Sequence, residues 1–126
     1  VDLETGRIQK LQDDWAGAAA TYDDAVRRFA RGEQNRASVP RALILLRAAQ
    51  AHEHNGDLAG ALDLYHEASE VREKSAAVYQ AELAAARLDQ HFNHSERARQ
   101  EYMRVAESAP DPVLGDAARE ALRRMQ

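Results

Sequence analysis

The chain repeats a twelve-residue segment, and this internal repeat limits the folds open to it more than any other feature. Segment 14–25 reads DWAGAAATYDDA and segment 57–68 reads DLAGALDLYHEA, so six of twelve positions are identical at an offset of 43 residues. A weaker third copy begins at Ser95, where Ala98 and Tyr102 repeat the alanine–tyrosine pair at an offset of 37 residues. Such self-similarity is typical of supersecondary units that stack on one another.

The repeated segments have the apolar spacing of α-helices. Between residues 15 and 30 the apolar side chains recur at intervals of three, four, seven and eleven, which places them on one helix face. Pro40, the Asn55-Gly56 pair, Asn93 and Pro110 separate the periodic segments, as expected of residues that begin or end helices. The pattern predicts seven helices, over about residues 3–11, 15–30, 40–54, 58–71, 75–92, 95–106 and 113–125, and no strand.

Composition supports an all-α fold and excludes several classes of protein. The 126 residues include 26 alanines but only three prolines and six glycines, which argues against an extended β architecture. The lack of cysteine excludes disulfides, cysteine-based zinc or iron–sulfur sites and thiol catalysis. The longest apolar run, residues 42–46, is too short to span a bilayer. A formal net charge of −4 argues against a dedicated nucleic-acid-binding protein.

These repeats resemble the tetratricopeptide repeat (TPR) family. The matching positions are Ala48 and Ala49 in the first helix of the motif, and Gly56, Asp57, Ala61, Tyr65 and Ala68 in its turn and second helix. The offsets of 43 and 37 residues exceed the family's usual period of about 34. The resemblance implies an all-α, right-handed helical-repeat solenoid of three TPR-like helix pairs plus a C-terminal capping helix. We expect one domain over 1–126, with units 1–36, 37–74 and 75–110 and a cap at 111–126.

The last helix, at 110–125, is similar to the closing helix of bacterial cell-envelope TPR proteins. Examples are the periplasmic TPR protein of the Tol–Pal system, the outer-membrane assembly lipoprotein and the translocon-associated TPR subunit. This resemblance favours the bacterial periplasm or cell envelope over the cytoplasm, whereas the lack of cysteine fits either compartment. The chain opens at Val1 with neither a methionine nor a signal-like apolar stretch, so we expect a fragment of a longer protein.

The resemblance also implies where a partner would bind, because the first helix of each TPR pair lines a concave groove. The polar residues off the packed faces of these helices are Arg7, Lys10, Gln50, Glu53, His54, Arg87, Gln90 and His91. Basic and amide groups with one carboxylate suit an extended peptide that carries acidic side chains or a free carboxylate. The alternative interpretation is that they form the solvated faces of amphipathic helices.

The family's lysine/asparagine clamp for a C-terminal carboxylate is absent from this sequence. The positions where its lysines and asparagines would fall hold Leu3, Arg7, Arg47, Gln80 and Ala84. None of these residues is a lysine or an asparagine. We therefore do not expect the chain to bind the C-termini of chaperones.

The five histidines do not form a recognised metal-binding pattern in the sequence. His52 and His54 are two residues apart, which puts them on different helix faces. His91 and His94 are three apart, but Asn93 is expected to end the helix between them. The HExxH motif is also missing. The sequence therefore predicts no metal site and no cofactor.

Candidate catalytic groups are equally sparse. The chain has no glycine-rich phosphate loop, no nucleophile elbow and no serine or threonine beside a plausible base. The pairs Asp13-Asp14 and Asp23-Asp24 diverge by about 100° on a helix, so capping and solvation explain them better than paired carboxylate catalysis. Trp15 is expected to have a core or inter-helix role, the alternative being a ring that stacks on a ligand. We therefore predict that the protein is not an enzyme.

Two functions stay open at the level of the sequence. The first is a non-catalytic scaffold that binds a peptide or partner segment in the concave groove, with no nucleic-acid partner. The second is a structural or oligomerisation module, in which a weak first helix exposes an apolar face to a second copy or to further repeats. Sedimentation at several protein concentrations distinguishes them, because only the second requires self-association or missing repeats.

Overall fold

The computed structural model of the protein describes residues 14–30 and 40–126, and this part of the chain is all α-helical. Its six helices are α1 (Trp15–Ala30), α2 (Arg41–His54), α3 (Leu58–Ser69), α4 (Ala76–His91), α5 (Ser95–Ser108) and α6 (Pro112–Arg124). They agree with six predicted helices to within about two residues at each end. The helix predicted over 3–11, with Arg7 and Lys10, lies outside the described residues. None of the six helices has the length and apolar content needed to cross a membrane.

The repeated Asp-x-Ala-Gly sequence begins a helix by capping it. Asp14 Oδ1 accepts a hydrogen bond from the backbone N–H of Gly17 at 2.9 Å, and Asp57 Oδ1 accepts one from Gly60 N–H at 3.0 Å. Side-chain acceptors of this kind satisfy N–H groups that have no partner within the helix. A Cβ atom at position 60 would lie 2.2 Å from Asp57 Oδ2. The repeated glycine therefore leaves room for the capping carboxylate.

The two turns between paired helices share a left-handed residue at equivalent positions. Gly56 has φ of 88° after α2, and Asn93, 37 residues later, has φ of 65° after α4. Glycine, and after it asparagine, adopts this conformation at lower cost than other residues. Both residues were predicted to end helices, and the structure confirms both.

The contacts between helices follow the order of the chain, with two additions. Each helix packs against the next one in the chain, and in addition α2 contacts α4 and α4 contacts α6. The even-numbered helices therefore form one continuous row along the molecule. Helices α3 and α5 lie between its members in the chain and pack against them.

Alanine dominates the interior. More than half of the buried apolar residues are alanine, and Ala18, Ala61 and Ala98, the repeated alanines, are fully buried. The repeated tyrosines Tyr22, Tyr65 and Tyr102 are at most 4% exposed. A small side chain lets a neighbouring backbone approach closely, and the ring one turn away fills the space beside it. The structure thus confirms the predicted core role of the alanine–tyrosine pair.

Candidate functional site

The row of even-numbered helices borders a groove with a volume of about 840 Å³. We call it the α2–α4–α6 groove. Its apolar lining consists of Leu46, Leu83, Ala84, Leu114, Ala117 and Ala121. Its polar lining consists of Arg47, Gln50, Glu53, His54, Gln80, Arg87 and the rings of Tyr65 and Tyr102. The lining thus combines apolar and polar groups in similar proportion, and convergent polar groups in a concave surface are typical of binding sites.

A charge pair at the centre of the groove connects three helices. Glu53 of α2 faces Arg87 of α4, with Arg87 Nη2 donating to Glu53 Oε1 at 3.0 Å and Nη1 lying 2.7 Å from Oε2. Tyr65 of α3 donates its hydroxyl to the same Oε1 at 2.7 Å. The paired geometry of guanidinium and carboxylate fixes the orientation of both side chains. The tyrosine thus carries its buried ring in the core and its hydroxyl at the groove.

The pKa values around this pair favour the ionised carboxylate. Burial alone raises the pKa of Glu53, but the hydrogen bonds from Arg87 and Tyr65 outweigh it and lower the pKa below its ordinary 4.5. The hydrogen bond with Glu53 raises the pKa of Arg87, and burial followed by the same carboxylate raises the pKa of Tyr65. Glu53 and Arg87 are therefore both charged at neutral pH and offset one another.

Arg47 contributes a cation that bonds to a neutral side chain. Its Nη1 donates to Gln50 Oε1 at 3.1 Å, one turn further along α2. Since Glu53 already offsets Arg87, the positive charge of the groove is concentrated at Arg47. An acidic ligand is therefore attracted most strongly to the α2 side of the groove.

Four of the predicted groove residues meet in this groove: Gln50, Glu53, His54 and Arg87. His54 also stacks on Trp15 of α1 with 4.1 Å between ring centroids, which gives Trp15 the predicted contact with another helix. The remaining described residues of the set lie outside the groove lining. Gln90 accepts a hydrogen bond from the Tyr102 hydroxyl at 3.1 Å, and His91 meets the ring of Phe92 edge-on.

Sequence reasoning missed two features of the groove. The first is the role of the tyrosine hydroxyls in the helix pairs α2–α3 and α4–α5. In each pair the hydroxyl bonds to a polar residue twelve positions earlier, Tyr65 to Glu53 and Tyr102 to Gln90. That common spacing is a signal visible in the sequence. The second is α6, whose Leu114, Ala117 and Ala121 close the groove. Their alanine-rich pattern predicted a packed face and gave no sign that part of this face borders a cleft.

Each of the two junctions between helix pairs contains a polar triad, and the residue types are exchanged between the two triads. At the first, His52 of α2 bonds to Asp23 of α1 at 2.8 Å and to the capping Asp57 at 3.1 Å. At the second, the three equivalent residues are His66, Asp89 and His94: Asp89 of α4 bonds to His66 of α3 at 2.9 Å and to His94 at 3.0 Å. Histidine and aspartate have thus changed places at every position.

Comparison of the chain with family models, with curated proteins and with solved structures gives no match.

Proposed function

We propose that the protein is a non-catalytic, TPR-like scaffold that binds a partner segment in the α2–α4–α6 groove. The observation that carries the proposal is a single groove, bordered by alternate helices, that contains four of the residues expected to contact a partner. In this proposal the described helices are consecutive turns of a right-handed solenoid, with α6 as the cap. The common register of the α2–α3 and α4–α5 pairs supports it, because the tyrosine bonds, the left-handed turn residues and two of the three triad positions repeat at an offset of 37.

The groove favours an extended segment that combines apolar and acidic side chains. Leu83 and Leu114 offer partly exposed apolar surface, whose burial is the main source of affinity in such sites. Arg47 and Arg87 lie on the same lining, and a guanidinium binds a carboxylate through directed, charge-assisted hydrogen bonds. We therefore propose that the ligand is a short peptide with alternating apolar and acidic residues.

Arg47 is the residue with which to test this proposal. Arg87 is unsuitable, because its removal would leave Glu53 half-buried without its cation and would weaken the fold together with binding. Among the described residues Arg47 bonds to the neutral Gln50, so Arg47→Gln removes charge with little structural cost. Arg72→Gln is a matched control, because Arg72 is exposed and lies outside the groove lining.

The experiment measures binding of a panel of peptides by fluorescence anisotropy. The panel contains apolar–acidic peptides and charge-reversed versions with lysine in place of the acids. We expect the acidic peptides to bind preferentially, and Arg47→Gln to weaken that binding about three- to five-fold, with Arg72→Gln unchanged. Equal affinity for both peptide sets, or an Arg47→Gln variant that binds normally, would refute the proposed ligand. Sedimentation of the free protein at several concentrations separates peptide binding from self-association.

A further inference from the structure

A histidine and two acidic residues from three successive helices meet at a point separate from the α2–α4–α6 groove. His66 Nε2 of α3 lies 2.9 Å from Asp89 Oδ2 of α4 and 3.1 Å from Glu101 Oε2 of α5. Asp89 is fully buried and Glu101 is 2% exposed. One donor atom from each residue lies within 4.8 Å of the other two. We call these three residues the His66 cluster.

Glu101 is the less well compensated acid of the cluster. Glu101 Oε1 is buried and has no hydrogen-bond partner within residues 14–30 and 40–126, although buried carboxylate oxygens are normally bonded. Burial of two neighbouring carboxylates is costly. His94 and Arg97 lie beside Asp89 Oδ1, whereas the ion pair at Glu101 is with His66, which Asp89 shares. Burial and the nearby Asp89 accordingly raise the pKa of Glu101 to about 7, against the opposing effect of His66.

We propose that the His66 cluster binds one divalent transition-metal ion with the ligand preferences of zinc. An imidazole nitrogen and two carboxylate oxygens form a donor set suited to such ions. Tetrahedral ligands at zinc distances lie about 3.4 Å apart. The separations of 2.9 and 3.1 Å from His66 are close to this value, so small rotations of the side chains suffice. The ion's two positive charges offset the two carboxylates. Glu101 Oε1 then contacts the ion or accepts a hydrogen bond from a water bound to it.

The surroundings of the cluster support such a site. A cavity of about 310 Å³ includes both His66 and Glu101 in its lining and gives an ion access from solvent. His94 Nδ1 lies 3.0 Å from Asp89 Oδ1, so a neighbouring residue fixes the orientation of that carboxylate, as is common around protein metal ligands. Arg97, 4.0 Å from the same oxygen, is a weaker competing cation on the solvent side. Three protein ligands leave a coordination position for water.

The first junction provides an internal comparison. Its triad of Asp23, His52 and Asp57 has the same register, but the position that corresponds to Glu101 is Leu64, which packs against the apolar core between α1 and α2. Asp23 and Asp57 are also considerably more exposed than the acids of the His66 cluster. Neither acid of the first triad is buried and Leu64 stands at the position of Glu101, so we assign metal binding to the second junction only.

The test is titration of the chelator-treated chain with zinc chloride, followed by calorimetry and thermal unfolding. We expect one ion per chain, and a rise in Tm of about 10 °C at a hundred-fold excess over Kd. Cobalt chloride in place of zinc should give the visible absorption of a low-coordinate cobalt site. Glu101→Leu copies the first junction, and Glu101→Gln keeps the shape of the side chain. Both should weaken zinc binding at least ten-fold.

Two controls make the result specific to this cluster. His52→Gln disrupts the equivalent triad, and His91→Ala removes an exposed histidine, so both should bind zinc as the unmodified chain does. Circular dichroism shows whether each variant is folded. Two different substitutions at Glu101 are made so that the test stands if one variant does not fold. A folded chain without one-to-one binding would overturn the proposal. Zinc affinity that survives both folded Glu101 variants would overturn it as well.

Discussion

Glu53 shows how one side chain can serve the fold and the groove together. It receives hydrogen bonds from α3 through Tyr65 and from α4 through Arg87, so three helices converge on one carboxylate. The same carboxylate offsets the charge of Arg87. Arg47 is therefore the cation of the groove whose charge is available to a ligand. The sequence indicates that Glu53 is off the packed face, but its partners lie 12 and 34 residues away, and helical periodicity carries no information about contacts at that distance.

The depressed pKa of Glu53 predicts a pH dependence of stability. Because its folded-state pKa lies below 4.5, the unfolded chain binds the proton more readily, and ionised Glu53 stabilises the fold above its unfolded pKa. That contribution is lost as pH falls through the lower, folded-state value. We expect the difference in unfolding free energy between the unmodified chain and Glu53→Gln to shrink as pH falls from about 6 to about 3. Urea unfolding at several pH values measures it, and a difference independent of pH would contradict the assignment.

The His66 cluster marks the limit of residue-level prediction from sequence. Histidine spacing along the sequence predicts no metal site, because neither His52 with His54 nor His91 with His94 shares one face of a single helix. The residues that do meet, His66, Asp89 and Glu101, are separated by 23 and 12 positions and lie on three helices. Only the packing of α3, α4 and α5 brings them together. The repeat offset aligns His66 with Asp23 and so relates the two junctions, but it does not indicate that Glu101 joins them.

At the scale of elements, helix boundaries followed from local chemistry. Pro40, Asp57 and the proline at the start of α6 act within one turn of the residue concerned, so the sequence contains the whole cause. The third copy of the repeat lacks the aspartate cap, because His94 takes the place of Asp57. The side chain of His94 makes no capping hydrogen bond and bonds to Asp89 instead. His94 weakens the sequence repeat at this position, and its side chain belongs to the second junction instead of capping a helix.

The turn after α2 gives a prediction at this scale. A Cβ atom at Gly56 would contact nothing within 4 Å, so only its φ of 88° opposes substitution. We expect Gly56→Ala to lower the free energy of unfolding by about 1–2 kcal/mol through left-handed backbone strain. Asn93→Gly, at the equivalent turn, should cause no loss, because glycine adopts that conformation without a steric penalty. Chemical unfolding of both variants checks this, and a neutral Gly56→Ala would show that the turn adopts another conformation.

At the scale of the whole molecule, alanine determines the arrangement. Fully buried alanines recur on every helix from α1 to α6, and they allow close spacing of each helix with its neighbours in the chain. The sequence predicts this packing because the alanines are periodic. The contacts of α2 with α4 and of α4 with α6 depend on how successive pairs are rotated, and apolar periodicity leaves that rotation undetermined. The groove exists because those contacts line up on one side.

Ala117 on α6 allows the charge of the groove to be changed without disturbing its helices. It lines the groove and is exposed, so a longer side chain there enters the groove instead of the core. We expect Ala117→Glu to weaken binding of apolar–acidic peptides and Ala117→Lys to strengthen it, each by a few-fold, since they place opposite charges at one point. Anisotropy with the same peptide panel measures both, and thermal unfolding confirms equal stability. Equal weakening by both variants would contradict charge recognition, and unchanged affinity in both would show that the partner binds elsewhere.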